Sequence, residues 1–115
     1  MHVVIYHNPR CSKSRRTLQL LQDRGIEPEV IEYLKTPPGK SKLREILKLL
    51  GLKPRELMRT KESAYREAGL DRTNLTEDQL ISAMIEHPVL MERPIVLANG
   101  KAALGRPPEK VLEIL

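Results

Sequence analysis

A chain of 115 residues suits one compact domain with a single core, and with three Tyr and no Phe or Trp that core must be built from Leu, Ile, Val and Met. The net charge of +5, from 20 Lys+Arg against 15 Asp+Glu, favours anionic partners, but the basic residues are interleaved with Glu and lack an aromatic stacking platform, which argues against nucleic acid. No apolar run approaches the roughly 20 residues of a membrane span and the N-terminus lacks a signal-peptide layout, so a cytoplasmic protein without a membrane partner is expected.

The first element is a β-rich run, Val3 to Tyr6. It meets a helix over Ser12 to Arg24 that carries Leu18, Leu20 and Leu21 and ends near Gly25. Glu29 to Tyr33 is a second strand, completing a β-α-β unit whose strands should be parallel. Pro37-Pro38-Gly39 breaks the pattern, and from about 40 to 88 the sequence is a helical insertion. Leu43, Ile46, Leu47 and Leu50 recur at helical spacing up to Gly51, and Pro54 opens a short helix. Glu62 to Ala68 is a further piece before Gly69. Thr76 with Gln79 makes a capping box for a helix that ends before Pro88. Ile95 to Ala98 and Lys101 to Leu104 form a hairpin about Asn99-Gly100, and a terminal helix from Pro107 or Pro108 is predicted to turn Val111, Leu112 and Leu115 inward. The fold class is α/β, with the helical insertion inside a single domain spanning 1–115.

The chain's chemistry concentrates in Tyr6-His7-Asn8-Pro9-Arg10-Cys11-Ser12-Lys13-Ser14-Arg15, which contains the only cysteine. Cys11 is predicted at the first turn of the helix, where unpaired N–H groups and the positive dipole end favour a thiolate, and where Lys13, Arg15 and His7 add positive potential. A free cysteine with a pKa near ~8.5 is only about 3% thiolate at pH 7, so such a shift decides whether the group reacts. A strand's carboxyl end is also where open α/β sheets bind ligands. One cysteine cannot form an internal disulfide, so any redox cycle must borrow a thiol from outside. With one Cys and scattered His, no metal site is expected.

His-Asn-Pro-x-Cys-x-x-Ser-Arg resembles the active-site loop of the glutaredoxin-coupled arsenate reductases. The resemblance continues through Tyr33-Leu34-Lys35-Thr36-Pro37-Pro38, the run around Arg59, His87-Pro88, Arg93-Pro94-Ile95-Val96 and Gly105-Arg106-Pro107. It implies a thioredoxin-like fold with a four-stranded mixed sheet, and a cis peptide at Pro94 beside the active cysteine. It also implies that Arg59, Arg93 and Arg106 surround the oxyanion, that His7 favours the thiolate electrostatically, that Asn8 holds the loop, and that the Ser14 hydroxyl donates to Cys11. Guanidinium suits the arginine task because it stays charged and offers forked donors to a tetrahedral oxyanion. The implied reaction is reduction of arsenate to arsenite through a Cys11 adduct, with glutathione as co-substrate, glutaredoxin as partner and no bound cofactor. Cys11-Ser12-Lys13-Ser14 is the monothiol form of C-x-x-C, consistent with an external resolving thiol. Two other readings compete: a regulator of the Spx type that binds RNA polymerase, against which Ser14 argues, and a related thiol protein without useful arsenate turnover.

Overall fold

A computed structural model describes residues 2–115. The chain forms two compact units: one runs to Thr36 and resumes over Arg93–Leu115, and the other is Pro37–Glu92. The first contains β1 (Val4–His7), α1 (Ser12–Asp23), β2 (Glu29–Glu32), β3 (Ile95–Ala98), β4 (Lys101–Leu104) and a 3₁₀ helix, Pro108–Ile114. The strand order is β2-β1-β3-β4. β1 and β2 are parallel, as a β-α-β crossover requires, and the β1–β3 and β3–β4 pairs are antiparallel. This is the four-stranded mixed sheet of the expected thioredoxin-like fold.

Period-two alternation decides which strand residues meet α1. Val3, just before β1, and Ile5 within it, with Val96 and Ala98 on β3, join Leu21, Val111 and Ile114 in one buried cluster. Ile5 and Val96 are also directly paired across the β1–β3 ladder, so register and core packing support each other. The hairpin turn takes φ 54 at Asn99 and φ 70 at Gly100, the conformation that Asn-Gly tolerates.

The C-terminal segment differs from the predicted α-helix. Its 3₁₀ winding has about three residues per turn, so Pro108, Val111 and Ile114 are buried, whereas Leu112 and Leu115 are only partly covered. Predicting 3.6 residues per turn put Leu112 and Leu115 inward in place of Ile114.

The second unit comprises α2 (Lys40–Leu50), α3 (Pro54–Leu57), α4 (Ser63–Glu67), α5 (Glu77–Glu86) and a 3₁₀ turn at Pro88–Leu90. α2 buries Leu43, Ile46 and Leu47, packs on α5, and stops at Gly51 with φ 69, where Gly51 N–H donates to Lys48 O and Leu52 N–H to Leu47 O. The predicted capping box forms in both directions: Gln79 N–H donates to Thr76 Oγ1 at 3.1 Å, and Thr76 N–H to Gln79 Oε1 at 2.8 Å. Arg55 ties this unit internally, donating to the Tyr65 hydroxyl, to Leu70 O and to Arg72 O. Among the described residues no helix is long and apolar enough to cross a membrane.

Candidate active site

β1 ends at His7, and the chain turns through Asn8-Pro9-Arg10 into α1. Asn8 shapes that turn with its own side chain: Oδ1 accepts Arg10 N–H at 3.0 Å, and Asn8 O accepts Cys11 N–H at 3.0 Å. Arg15 reaches back to donate to Pro9 O at 3.0 Å. Cys11 is the N-cap of α1, with extended φ −92 and ψ 123, and its carbonyl accepts the first helical hydrogen bond from Arg15 N–H. The thiol thus sits at a helix start on a partly exposed residue, open to a reactant.

The environment of the sulfur favours the thiolate. Partial burial alone would raise its pKa. The Ser14 N–H, a hydrogen bond from the Arg93 guanidinium, the Lys13 N–H and the Arg93 charge together outweigh burial and hold the pKa below its ordinary value. Two of these contributions are main-chain dipoles fixed by α1. The cationic one comes from a residue distant in sequence.

His7 and Ser14 play parts other than those expected. Ser14 is fully buried, and its hydroxyl lies 2.6 Å from His7 Nδ1 while accepting Asn8 N–H at 3.0 Å. The hydroxyl therefore locks the loop, and it is the main-chain N–H of Ser14 that serves the sulfur. His7 is pushed below its ordinary pKa by burial; Glu32 opposes that shift and Arg15 adds to it. A histidine so placed is neutral at pH 7, so it supplies a hydrogen bond to the loop and not the positive charge expected of it.

The arginines fall into two groups. Arg93 immediately precedes Pro94, whose peptide bond is cis, and Arg106 precedes a second cis bond at Pro107. Arg106 donates to Arg93 O at 3.1 Å, and Gly105 N–H donates to Pro94 O at 3.0 Å, so the segment after β4 fixes the backbone that carries Arg93. Arg59 belongs to the helical unit. There its Nε donates to Glu62 at 3.1 Å and a terminal nitrogen to Glu92 at 2.9 Å. Burial alone would lower the Arg59 pKa, but those two carboxylates raise it. Arg10, Arg15 and Arg16 are exposed.

Sequence reasoning gave no role to Tyr33. This residue lies just past β2, fully buried, with Arg93, Asn8 and Cys11 around its hydroxyl. A signal was present: in a chain without Phe or Trp, a Tyr ending a strand beside a reactive loop offers an O–H that a Leu would not. Glu62 and Glu92 also went unassigned, because neither spacing nor charge alone marks them as partners of Arg59. A cleft of about 400 Å³ lies beside the loop, lined by Asn8, Pro9, Arg10, Glu32, Leu34 and Lys35 together with His7. Among the described residues no cluster of His, Cys, Asp and Glu could hold a metal ion.

Comparison with known proteins gives the arrangement a context. The sequence model of the ArsC family matches residues 6–114. The chain is 60% identical over 114 residues to "Uncharacterized protein YfgD" of Escherichia coli K12, covering 98% of this chain and 96% of that protein. It is 55% identical over 114 residues to "Arsenate reductase" of Neisseria meningitidis serogroup A, covering 98% of this chain and 97% of that one. The solved structure "Arsenate reductase from Vibrio cholerae" is similar with a TM-score of 0.97 at 56% identity, covering 100% of this chain and 98% of that chain.

Proposed function

This chain belongs to the ArsC family, and on that premise we propose that it is an arsenate reductase whose nucleophile is Cys11 and whose electrons come from glutathione and glutaredoxin. The observation that carries this reading is the sulfur's own environment, where two helix N–H groups and Arg93 favour the thiolate. Names of relatives supply the substrate; the thiol supplies the chemistry.

The Cys11 thiolate attacks the arsenic of arsenate, forming an S–As bond while one oxygen leaves as water. Arg93 stabilises the charge moved onto the remaining oxygens, with Arg106, whose guanidinium donates to Arg93 O, as a further cation beside it. Glutathione then displaces a second oxygen, again as water, leaving As(V) bound to two sulfurs. A glutaredoxin thiolate attacks the glutathione sulfur, an S–S bond forms, and the S–As electron pair stays on arsenic. The two thiols are thereby oxidised to a mixed disulfide and As(V) is reduced to As(III). Water finally releases arsenite and returns the Cys11 thiol. No second cysteine is available to resolve the adduct, which supports an external thiol. The cleft beside the loop, with Arg10 and Lys35 on its walls, offers room and charge for an anionic tripeptide.

The test is arsenate reduction with glutathione and glutaredoxin, using Cys11→Ser as the control. Turnover lost in that variant supports the assignment. Turnover that survives it, or none in the wild type, refutes it. Efficient wild-type turnover with thioredoxin alone would refute the choice of electron donor.

A further inference from the structure

The Tyr33 hydroxyl is the buried polar group at this site for which the mechanism has no use. Tyr33 is 1% exposed, and its oxygen makes no hydrogen bond of ordinary geometry, although Arg93, Asn8 and Cys11 all lie within electrostatic reach of it. The chemistry of those neighbours decides where its proton can go. Arginine has donors and no acceptor. Asn8 lowers the phenol's pKa, as a donor to its oxygen does, so the group that Asn8 turns to Tyr33 is its NH₂, while its carbonyl oxygen accepts Arg10 N–H. Both neighbours can supply a proton to the phenol oxygen and neither can accept one from it. A buried O–H left without an acceptor is destabilising, and an arriving anion would remove that penalty. Cys11 is where the negative charge resides, first on sulfur and then on the oxygens of whatever sulfur attacks.

We propose that Tyr33 is a substrate-contacting residue, whose O–H donates to one oxygen of the tetrahedral oxyanion held at Cys11 and Arg93. The proposal rests on the oxyanion reading of the site. Burial, the largest influence, raises the phenol's pKa despite the nearby Arg93 charge, so the group remains a protonated donor throughout the working pH range. A neutral donor complements the arginines: it adds direction without adding to the positive charge that a product must escape.

The experiment compares wild type with Tyr33→Phe, which keeps the ring and removes the hydroxyl. Protection of Cys11 from iodoacetamide is titrated with arsenate and, as an oxyanion that thiols do not reduce, with sulfate. Loss of a hydrogen bond to a charged group predicts that the half-protecting concentration rises about 10- to 100-fold. The pH midpoint of alkylation without oxyanion should stay put, and thermal stability without oxyanion should be unchanged or higher because the buried O–H has no acceptor among its protein neighbours. Equal protection in the two proteins would overturn the proposal. So would an upward shift of the oxyanion-free midpoint, which would make the thiolate the acceptor, and so would a wild type that neither anion protects. A wild type that is protected by oxyanions yet does not reduce arsenate would overturn the reductase assignment, while the difference between the two proteins would still support Tyr33.

Discussion

Gly105→Ala tests the packing that holds Arg93 in place. The backbone at Gly105 is not in the left-handed region, so the side chain is excluded by space alone. A Cβ there would lie 2.5 Å from Thr17 Oγ1, 2.7 Å from Pro94 Cγ and 3.2 Å from Pro94 Cδ, all short of the 3.4 Å at which ordinary contact begins. Neither neighbour yields easily. Thr17 is fully buried and donates to Lys13 O at 2.8 Å, and Pro94 is held by the hydrogen bond from Gly105 N–H. Relief requires displacement of about 1 Å in a close-packed region, which costs about 1–3 kcal/mol by overpacking. A chain of this size loses about 4 °C of melting temperature per kcal/mol, so the expected fall is about 4–12 °C. Thermal and urea unfolding both read it, the latter as a lower midpoint at unchanged slope. Adding Thr17→Ala should recover part of the loss, with a coupling of about 1 kcal/mol, because Oγ1 is gone and the proline remains. Iodoacetamide should also react more slowly with Cys11, since Pro94 carries Arg93 with it. A variant that melts within about 1 °C of wild type and shows no coupling to Thr17 would refute the argument.

Three further outcomes follow from the same geometry. The pH midpoint of Cys11 alkylation should lie below that of a free cysteine and move upward in Arg93→Gln, which loses both a donor and a charge; an unmoved midpoint would remove Arg93 from the thiolate's support. His7 has a folded pKa below 6.5, so as pH falls through that value the unfolded chain takes up a proton that the folded one refuses, and stability should decline in acid; His7→Gln should flatten that part of the profile, and an identical profile would contradict the buried neutral ring. Ser14→Ala strips the buried Asn8 N–H of its acceptor, at a cost of about 1–3 kcal/mol in unfolding free energy; a variant as stable as wild type would show that the hydroxyl does not lock the loop.

What could be read from the sequence was local chemistry. Thr76 and Gln79 find each other across one turn, Asn99-Gly100 adopts the two positive φ angles its composition permits, and Cys11 begins a helix because a strand, a turn and an apolar period precede and follow it. The features that escaped depend on burial and on partners far along the chain. Neutral His7 is a consequence of desolvation, which no spacing reports. Ser14 could have faced solvent or the core, and only packing against His7 and Asn8 directs its hydroxyl. Glu92 meets Arg59 from 33 positions away. The terminal segment kept its place and changed its period, since two consecutive prolines and a short length favour the tighter winding.

The division between local and remote contributions bears on how the thiol can work. The N–H groups of Ser14 and Lys13 are fixed by α1 and present whenever that helix is formed, so they stabilise thiolate before and after reaction alike. Arg93 is different, because its guanidinium has five donors and its backbone is pinned by Arg106 and, through Pro94, by Gly105. It holds the sulfur's charge in the free protein and, in the proposed reaction, would follow that charge onto oxygen as the S–As bond forms. Phosphate would meet the same donors and satisfy them equally well, since tetrahedral oxyanions differ little in shape or charge. In the proposed reaction the arginines would therefore confer affinity for a class, and selection within it would belong to Cys11: sulfur attack on As(V) opens a two-electron reduction, and attack on phosphorus opens none.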